Sequence, residues 1–322
     1  MNLNKEQLLT AYRMMKTIRD FEERVHVEFA AGEIPGFVHL YAGEEACAVG
    51  VCTHLSTEDW IASTHRGHGH CIAKGVDVHG MMAELFGRKT GLCGGKGGSM
   101  HVADLELGMM GANGIVGGGP PLVCGAALAE KRAGKGHVAV AFVGDGGSNQ
   151  GTTLESLNLA KIWDLPAIFV VEDNGYAEAT SSKYSIAAKS NAERARGFGL
   201  PAVRVDGHDF FAVHEAAGEA VERARSGGGP TLLDCQVNRY FGHFEGDAQT
   251  YRSQGEAQQL RDHQDCLVRF RERVTAADEI SPEELDAIDH ETQVLIEEAT
   301  VAAKAAPEPT EEDLLTDVYV AY

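Results

Sequence analysis

Forty residues, His137–Tyr176, constrain the chain more than any other stretch: HVAVAFVGDGGSNQGTTLESLNLAKIWDLPAIFVVEDNGY. The apolar runs His137–Val143 and Pro166–Val171 have the length and β-branched content of strands buried on both faces. Between them Leu154, Leu157, Leu159, Ala160 and Trp163 recur at helical spacing, predicting a helix of about three turns that starts near Asn149. Strand, glycine turn, helix and parallel strand make a βαβ unit, and such sheets bind ligands beyond the carboxyl ends of their strands. Asp145 closes the first strand and Asn174 the second, 29 positions apart. If the strands are neighbours, both side chains reach one rim beside the helix N-terminus. A hard cation held by Asp145 and Asn174, with an anion facing that N-terminus, is the arrangement implied.

The remaining composition narrows the function classes. The net charge is −20, and residues 278–322 carry 14 acids against the single base Lys304. Such a tail is expected to be a solvated helical face, and the acidity argues against nucleic acid or an anionic membrane as partner. No apolar run approaches the length of a membrane span and the N-terminus lacks a signal-peptide pattern, so a soluble, cytoplasmic protein is expected. Seven cysteines with no CxxC pair read as reduced core thiols. The 38 glycines, many clustered, call for close backbone approaches, as around a ligand.

In chain order, residues 5–31 carry a helical pattern, and a second helix with the small face Ala46, Ala48, Gly50 follows FVHLYAGEEA. Trp60–Ser63 reads as a short strand ending on THRGHGH (64–70). That motif suits an anion site, with Arg66 offering a fixed fork and His68 a donor beside it. Zinc ligation and plain surface histidines stay open. Two glycine-rich segments, 91–104 and 108–125, are too long for simple turns and read as ordered loops around a bulky ligand or as flexible surface. The first is not a phosphate loop, since no Ser or Thr follows Lys96. Helices over 185–198 and 210–225 alternate with strands at 203–206 and 231–237. The whole predicts an α/β fold, a mostly parallel sheet with helices on both faces. The segment 239–252, RYFGHFEGDAQTYR, has the character of an active-site loop, and residues 254–322 are expected to form an acidic, helical C-terminal extension of one domain spanning 1–322.

The turn GDGGSN could open a dinucleotide-binding fold, but Asn149 stands where its third glycine belongs. The whole run from Gly144 to Asn174 instead resembles the thiamine-diphosphate motif. FVHLYAGEEA (37–46), KGGSMH (96–101), GANGIVG (111–117) and RYFGHFEGDAQTYR extend that likeness. Over residues 5–255 the chain resembles alpha subunits of the first component of 2-oxo acid and acetoin dehydrogenase complexes, and the segments 37–70 and 239–252 look most like the acetoin type.

The resemblance implies a thiamine-diphosphate-binding fold, thiamine diphosphate and Mg²⁺ as cofactors, and metal ligation by Asp145, Asn174 and the backbone oxygen of Tyr176. Arg66 matches a diphosphate-binding arginine; Gly144, Gly146 and Gly147 form the cofactor turn; Gly114 and Val116 match backbone contacts to the aminopyrimidine. His243 matches a loop histidine near the reacting centre, and His68 is the second catalytic candidate. The implied reaction is oxidative cleavage of acetoin, with the acetyl group passed to a lipoyl-bearing acyltransferase. The implied assembly is a heterotetramer with beta subunits, which supply the glutamate that activates the cofactor. Asp173 replaces the first of the family's paired asparagines and reads as a turn residue. Phe241 replaces a histidine of pyruvate-type members, and Phe244 replaces the phosphorylated serine of mitochondrial ones, so that control by phosphorylation is not expected. Pro120 beside Pro121 has no account at this level. The rival readings are a pyruvate or branched 2-oxo acid dehydrogenase alpha subunit, a nicotinamide-dependent dehydrogenase, and a non-catalytic subunit.

Overall fold

A computed structural model describes residues 3–319. Residues 1–2 and 320–322, the two ends of the expected domain, lie outside the described residues. The chain opens on α1 (Lys5–Ala30), whose first turn is closed by a capping box between Asn4 and Gln7. Then follow α2 (Glu45–Cys52), β1 (Trp60–Ala62), α3 (His68–Lys74) and α4 (Val78–Leu85). The central unit is α5 (Gly119–Ala133), β2 (Ala139–Gly144), α6 (Gly151–Ile162) and β3 (Ala167–Asp173). After a small hairpin, β4 (Tyr176–Ala177) and β5 (Thr180–Ser181), come α7 (Ser182–Ser185), α8 (Asn191–Arg196), β6 (Ala202–Asp206), α9 (Phe210–Arg225) and β7 (Thr231–Gln236). Then come α10 (Glu256–Gln264), α11 (Cys266–Ala276) and α12 (Pro282–Ala305), followed by a 3-10 turn over Glu311–Leu315.

The five-stranded sheet is wholly parallel, in the order β1-β2-β3-β7-β6. Its middle strands are covered on both faces, and their alternating side chains feed two cores. Val140, Phe142, Ile168, Val170 and Leu233 join α1, α2 and α9 on one face. Ala139, Ala141, Val143, Phe169 and Val171 join α5, α6 and α8 on the other. The edge strand β6 keeps Arg204 in solvent, which blunts the open edge. The small face of α2 packs on α9 so closely that a Cβ at Gly50 would lie 2.7 Å from Val213 Cγ1. All seven cysteines are unpaired and six are buried, as expected of core thiols. Among the described residues no helix is long and apolar enough to cross a membrane.

Two expectations need correction. The helix expected over 185–198 is broken: α7 is a single turn, and a new helix starts only at Asn191. The Ser190 hydroxyl accepts the Glu193 N–H at 3.0 Å while the Glu193 carboxylate accepts the Lys189 N–H at 2.7 Å, a start signal that the apolar pattern had concealed. The acidic C-terminal region is more than a solvated face. Helix α12, started by the Ser281–Glu284 capping box and Pro282, buries Leu285, Ile288, Thr292, Ile296 and Ala299. It lies along α1, where Glu284 meets Lys5 at 2.7 Å, Glu291 meets Arg13, Glu297 meets Arg24, and Lys304 meets Glu28 at 2.7 Å. The first three pairs are exposed or half-exposed and contribute about 0–1 kcal/mol each, so they tune register while the apolar stripe supplies the adhesion; only the Lys304 pair reaches a buried carboxylate, Glu28.

Gly50→Val should lower the unfolding free energy by about 1–3 kcal/mol, because the added methyls must separate α2 from α9. A shift of the chemical-denaturation midpoint at unchanged slope checks this.

Candidate functional site

Parallel pairing brings the carboxyl ends of β1, β2, β3 and β7 to one edge, where a cavity of about 370 Å³ opens. Gly144 faces Glu172 in the β2–β3 register, so Asp145 and Asn174 leave adjacent strands at that edge. Ser63–Arg66 follow β1 and Arg239–His243 follow β7; both segments line the same cavity with Gly114 and Val116. The turn Gly144–Gly147 forms its floor, and Tyr176 a wall. At Gly146 a Cβ would stand 2.4 Å from that of Ala177, so only glycine allows the turn to approach the hairpin.

The donor set fits a hard cation. Asp145 is buried, and its Oδ2 has no hydrogen-bond partner among the described residues. Burial, reinforced by the charge of Asp173, pushes this carboxyl up to about 7. A buried carboxylate oxygen without a partner is costly, and a cation relieves it. Asn174 Oδ1 accepts the Tyr176 N–H at 3.3 Å, and the Tyr176 carbonyl accepts a long hydrogen bond of 3.4 Å from Arg239. Carboxylate, amide and peptide oxygens are the ligands that Mg²⁺ takes. Asp173 accepts the Gly175 N–H at 3.2 Å, the turn role expected of it.

Arg66 lies buried beside the cavity with its fork partly engaged. Its Nη1 donates to the Leu40 carbonyl and its Nη2 to the His243 carbonyl at 2.9 Å, leaving the remaining donors for an anion. Burial lowers its pKa to about 10, so it stays charged at neutral pH. The helix N-terminus is more elaborate than expected: a 3-10 turn over Gly147–Asn149 precedes α6, and Gln150 lines the cavity. Pro120 and Pro121 fall in the first turn of α5, where a missing N–H costs nothing, which accounts for the pair.

Sequence reasoning missed the histidine cluster. His39, His65 and His243 bring ring nitrogens within 4.8 Å of one another on the cavity wall. They come from three separate segments, so no local spacing announces them. Burial is the largest cause lowering all three; His39 falls to about 2 with help from His65, while beside Arg66 His65 falls to about 3 and His243 to about 4. At neutral pH they are uncharged imidazoles, each offering one donor and one acceptor. Glu44, Glu172 and Arg239 also line the cavity and were not singled out.

His68 does not join them. It is fully buried on α3, where Nδ1 meets the Glu22 carboxylate at 3.1 Å and Nε2 meets Ser99 Oγ at 2.9 Å. With both nitrogens engaged and the cavity elsewhere, it ties α1 and α3 to the glycine-rich segment. Nor are the histidines of THRGHGH superficial: His70 is buried against Ser63 and Glu172. The first glycine-rich segment likewise has a protein partner. Glu84 accepts N–H bonds from Cys93, Gly95, Gly97 and Gly98 at 2.7–3.0 Å, so residues 91–98 wrap a carboxylate. The second segment does line the cavity, through Asn113–Gly117 and Gly119.

Comparison with known proteins identifies the family. The family model described as dehydrogenase E1 component matches residues 13–312. The chain is 65% identical to the alpha subunit of acetoin:2,6-dichlorophenolindophenol oxidoreductase of Cupriavidus necator, covering 99% of this chain and 96% of the relative. It is 53% identical to the Bacillus subtilis protein of the same name, over 100% and 96%. It is 42% identical to the pyruvate dehydrogenase E1 component subunit alpha of Rhizobium meliloti, over 98% and 90%. The chain therefore belongs to the dehydrogenase E1 component family.

Proposed function

We propose that this chain is the alpha subunit of a thiamine-diphosphate-dependent dehydrogenase that cleaves acetoin oxidatively, yielding acetaldehyde and an acetyl group that passes to a lipoyl-bearing acyltransferase. The observation that carries the cofactor site is the partnerless, buried Oδ2 of Asp145 beside Asn174 at the edge of β2 and β3. The two relatives named for acetoin favour the substrate. Family membership and the position of Asn149, whose side chain reaches Ser185 and Arg194, leave the nicotinamide reading without support.

When bound, thiamine diphosphate supplies the carbon nucleophile and the electron sink for carbon–carbon cleavage. Asp145, Asn174 and the Tyr176 carbonyl would hold Mg²⁺, and Arg66 with the Gly144–Gly147 turn would receive the diphosphate. Gly114 and Val116 line the wall assigned to the aminopyrimidine, and a Cβ added at Gly114 would make ordinary contact with His101 Nε2 at 3.8 Å. The neutral imidazoles of His39, His65 and His243 suit hydrogen bonding and proton transfer at an uncharged hydroxyketone, and His243 is our choice for that transfer. His68 has no part in it. We further propose a heterotetramer of two alpha and two beta subunits with the cofactor between unlike chains, this chain forming one domain of the cofactor-binding half. We place the enzyme in the cytoplasm, where its unpaired thiols stay reduced.

Asp145→Ala should cost the Mg²⁺-dependent cofactor affinity about 3–5 kcal/mol, two to three decades or more; unchanged affinity by titration calorimetry would sink the site assignment. His243→Ala should lower turnover by about 10²–10⁴-fold, and retention of full turnover would remove it from proton transfer. Dye reduction by the chain co-expressed with its beta subunit should be strongest on acetoin. A greater rate on pyruvate, for which the Rhizobium relative is named, or on a branched 2-oxo acid would keep the site and change the substrate.

A further inference from the structure

The orientation of the Asn174 amide is set by a carboxylate outside the expected ligand set. Glu44, buried at the start of α2, accepts a hydrogen bond from Asn174 Nδ2 to Oε1 at 3.0 Å. On the other side of the amide, Oδ1 accepts the Tyr176 N–H. These two neighbours fix the amide without ambiguity. The opposite placement would aim the NH₂ group at a backbone donor and remove the donor from Glu44.

Glu44 is itself held rigidly. Gly43, at φ +103°, lets the chain pass where a Cβ would lie 2.1 Å from the Asn238 carbonyl, and the Tyr240 N–H bonds to Ala42 at 3.1 Å. The next residue, Glu45, is clamped by the buried Arg19, which also binds Asp265 at 2.7 Å. Glu44 thus approaches Asn174 from a backbone tied to α1, α11 and the segment after β7. The neighbouring Glu172 does not share this task, since its Oε1 is taken by the Tyr41 hydroxyl and by His70 at 2.9 Å.

We infer that Glu44 is a positioning residue of the cation site: it takes the Asn174 amide hydrogens and so turns Oδ1 toward the metal. The inference rests on the proposed assignment of Asn174 as a ligand. Groups that orient a metal ligand in this way typically contribute 10–100-fold to metal affinity. Removal of the acceptor takes away one of the two bonds that fix the amide and so makes accessible the rotamer that points an N–H at the cation.

The test is calorimetric titration of Mg²⁺ into the assembled enzyme with thiamine diphosphate present, for the parent and for Glu44→Met, Glu44→Gln, Asn174→Ala and the Glu44→Met/Asn174→Ala pair. Glu44→Met keeps the volume without an acceptor and should weaken Mg²⁺ affinity about 10–100-fold. Glu44→Gln keeps a carbonyl acceptor and should remain near the parent. In the Asn174→Ala background Glu44→Met should add little, because its effect acts through the amide. Unchanged affinity in Glu44→Met, a loss in Glu44→Gln as large as in Glu44→Met, or fully additive losses would overturn the inference. If Glu44→Met does not assemble, Glu44→Gln and Asn174→Ala, with Glu44→Ala in place of Met, decide it by the same criteria. Asp145→Ala separates the two levels: its loss of affinity alongside a parent-like Glu44→Met sinks only the role of Glu44, whereas its parent-like affinity sinks the site.

Discussion

The β2–β3 register is the constraint on which the site depends. Because the two strands run parallel with Gly144 opposite Glu172, the residues that follow them emerge side by side. A slip of one residue would turn every side chain of β3 to the other face. The two cores forbid it, for Ile168 and Val170 fill one and Phe169 and Val171 the other. Asp145 is thereby held in a place where its own protein gives Oδ2 no partner. The apolar packing under the sheet is what stabilises an electrostatically poor arrangement at its rim, the usual relation between a scaffold and a binding site.

Buried carboxylates organise the surroundings in three different ways. Glu84 is satisfied by backbone N–H groups and gives shape to a glycine-rich loop. Glu45 is satisfied by Arg19, which also binds Asp265 and so joins α1 and α2 to α11. Glu44 and Glu172 stand together on the cavity wall, and burial with the charge of Glu172 raises the pKa of Glu44. A carboxylate is too expensive to bury without partners, so each fixes the position of whatever answers it. Rigidity around the cavity therefore comes from these buried carboxyl groups as well as from the apolar core.

Much of this was legible in the sequence because buried parallel strands announce themselves as unbroken apolar runs. Asp145, Asn174, Arg66 and His243 reach one cavity as the strand ends foretold, and α9 spans Phe210–Arg225 as its periodicity required. Most of the failures share a cause. His68 sits in the same motif as Arg66, but which side of a short helix a residue faces depends on packing that a motif does not encode. The Glu84 cradle and the His39–His65–His243 cluster join residues from separate segments, and tertiary meetings of that sort leave no local pattern. The stop before α8 was written as Ser190 and Glu193, a polar capping signal hidden by the apolar residues before it.

The packing of α1 on α12 has a consequence for how the molecule is made. Lys5 and Glu284, partners across that contact, are 279 positions apart. During synthesis the first helix emerges with an apolar stripe that includes Leu8, Met15 and Ile18, and part of its cover is not yet translated. Contacts of such long sequence separation form late and slowly, and unpaired apolar surface is what aggregates or recruits chaperones meanwhile. The nascent chain thus carries α1 incompletely covered until α12 has been made.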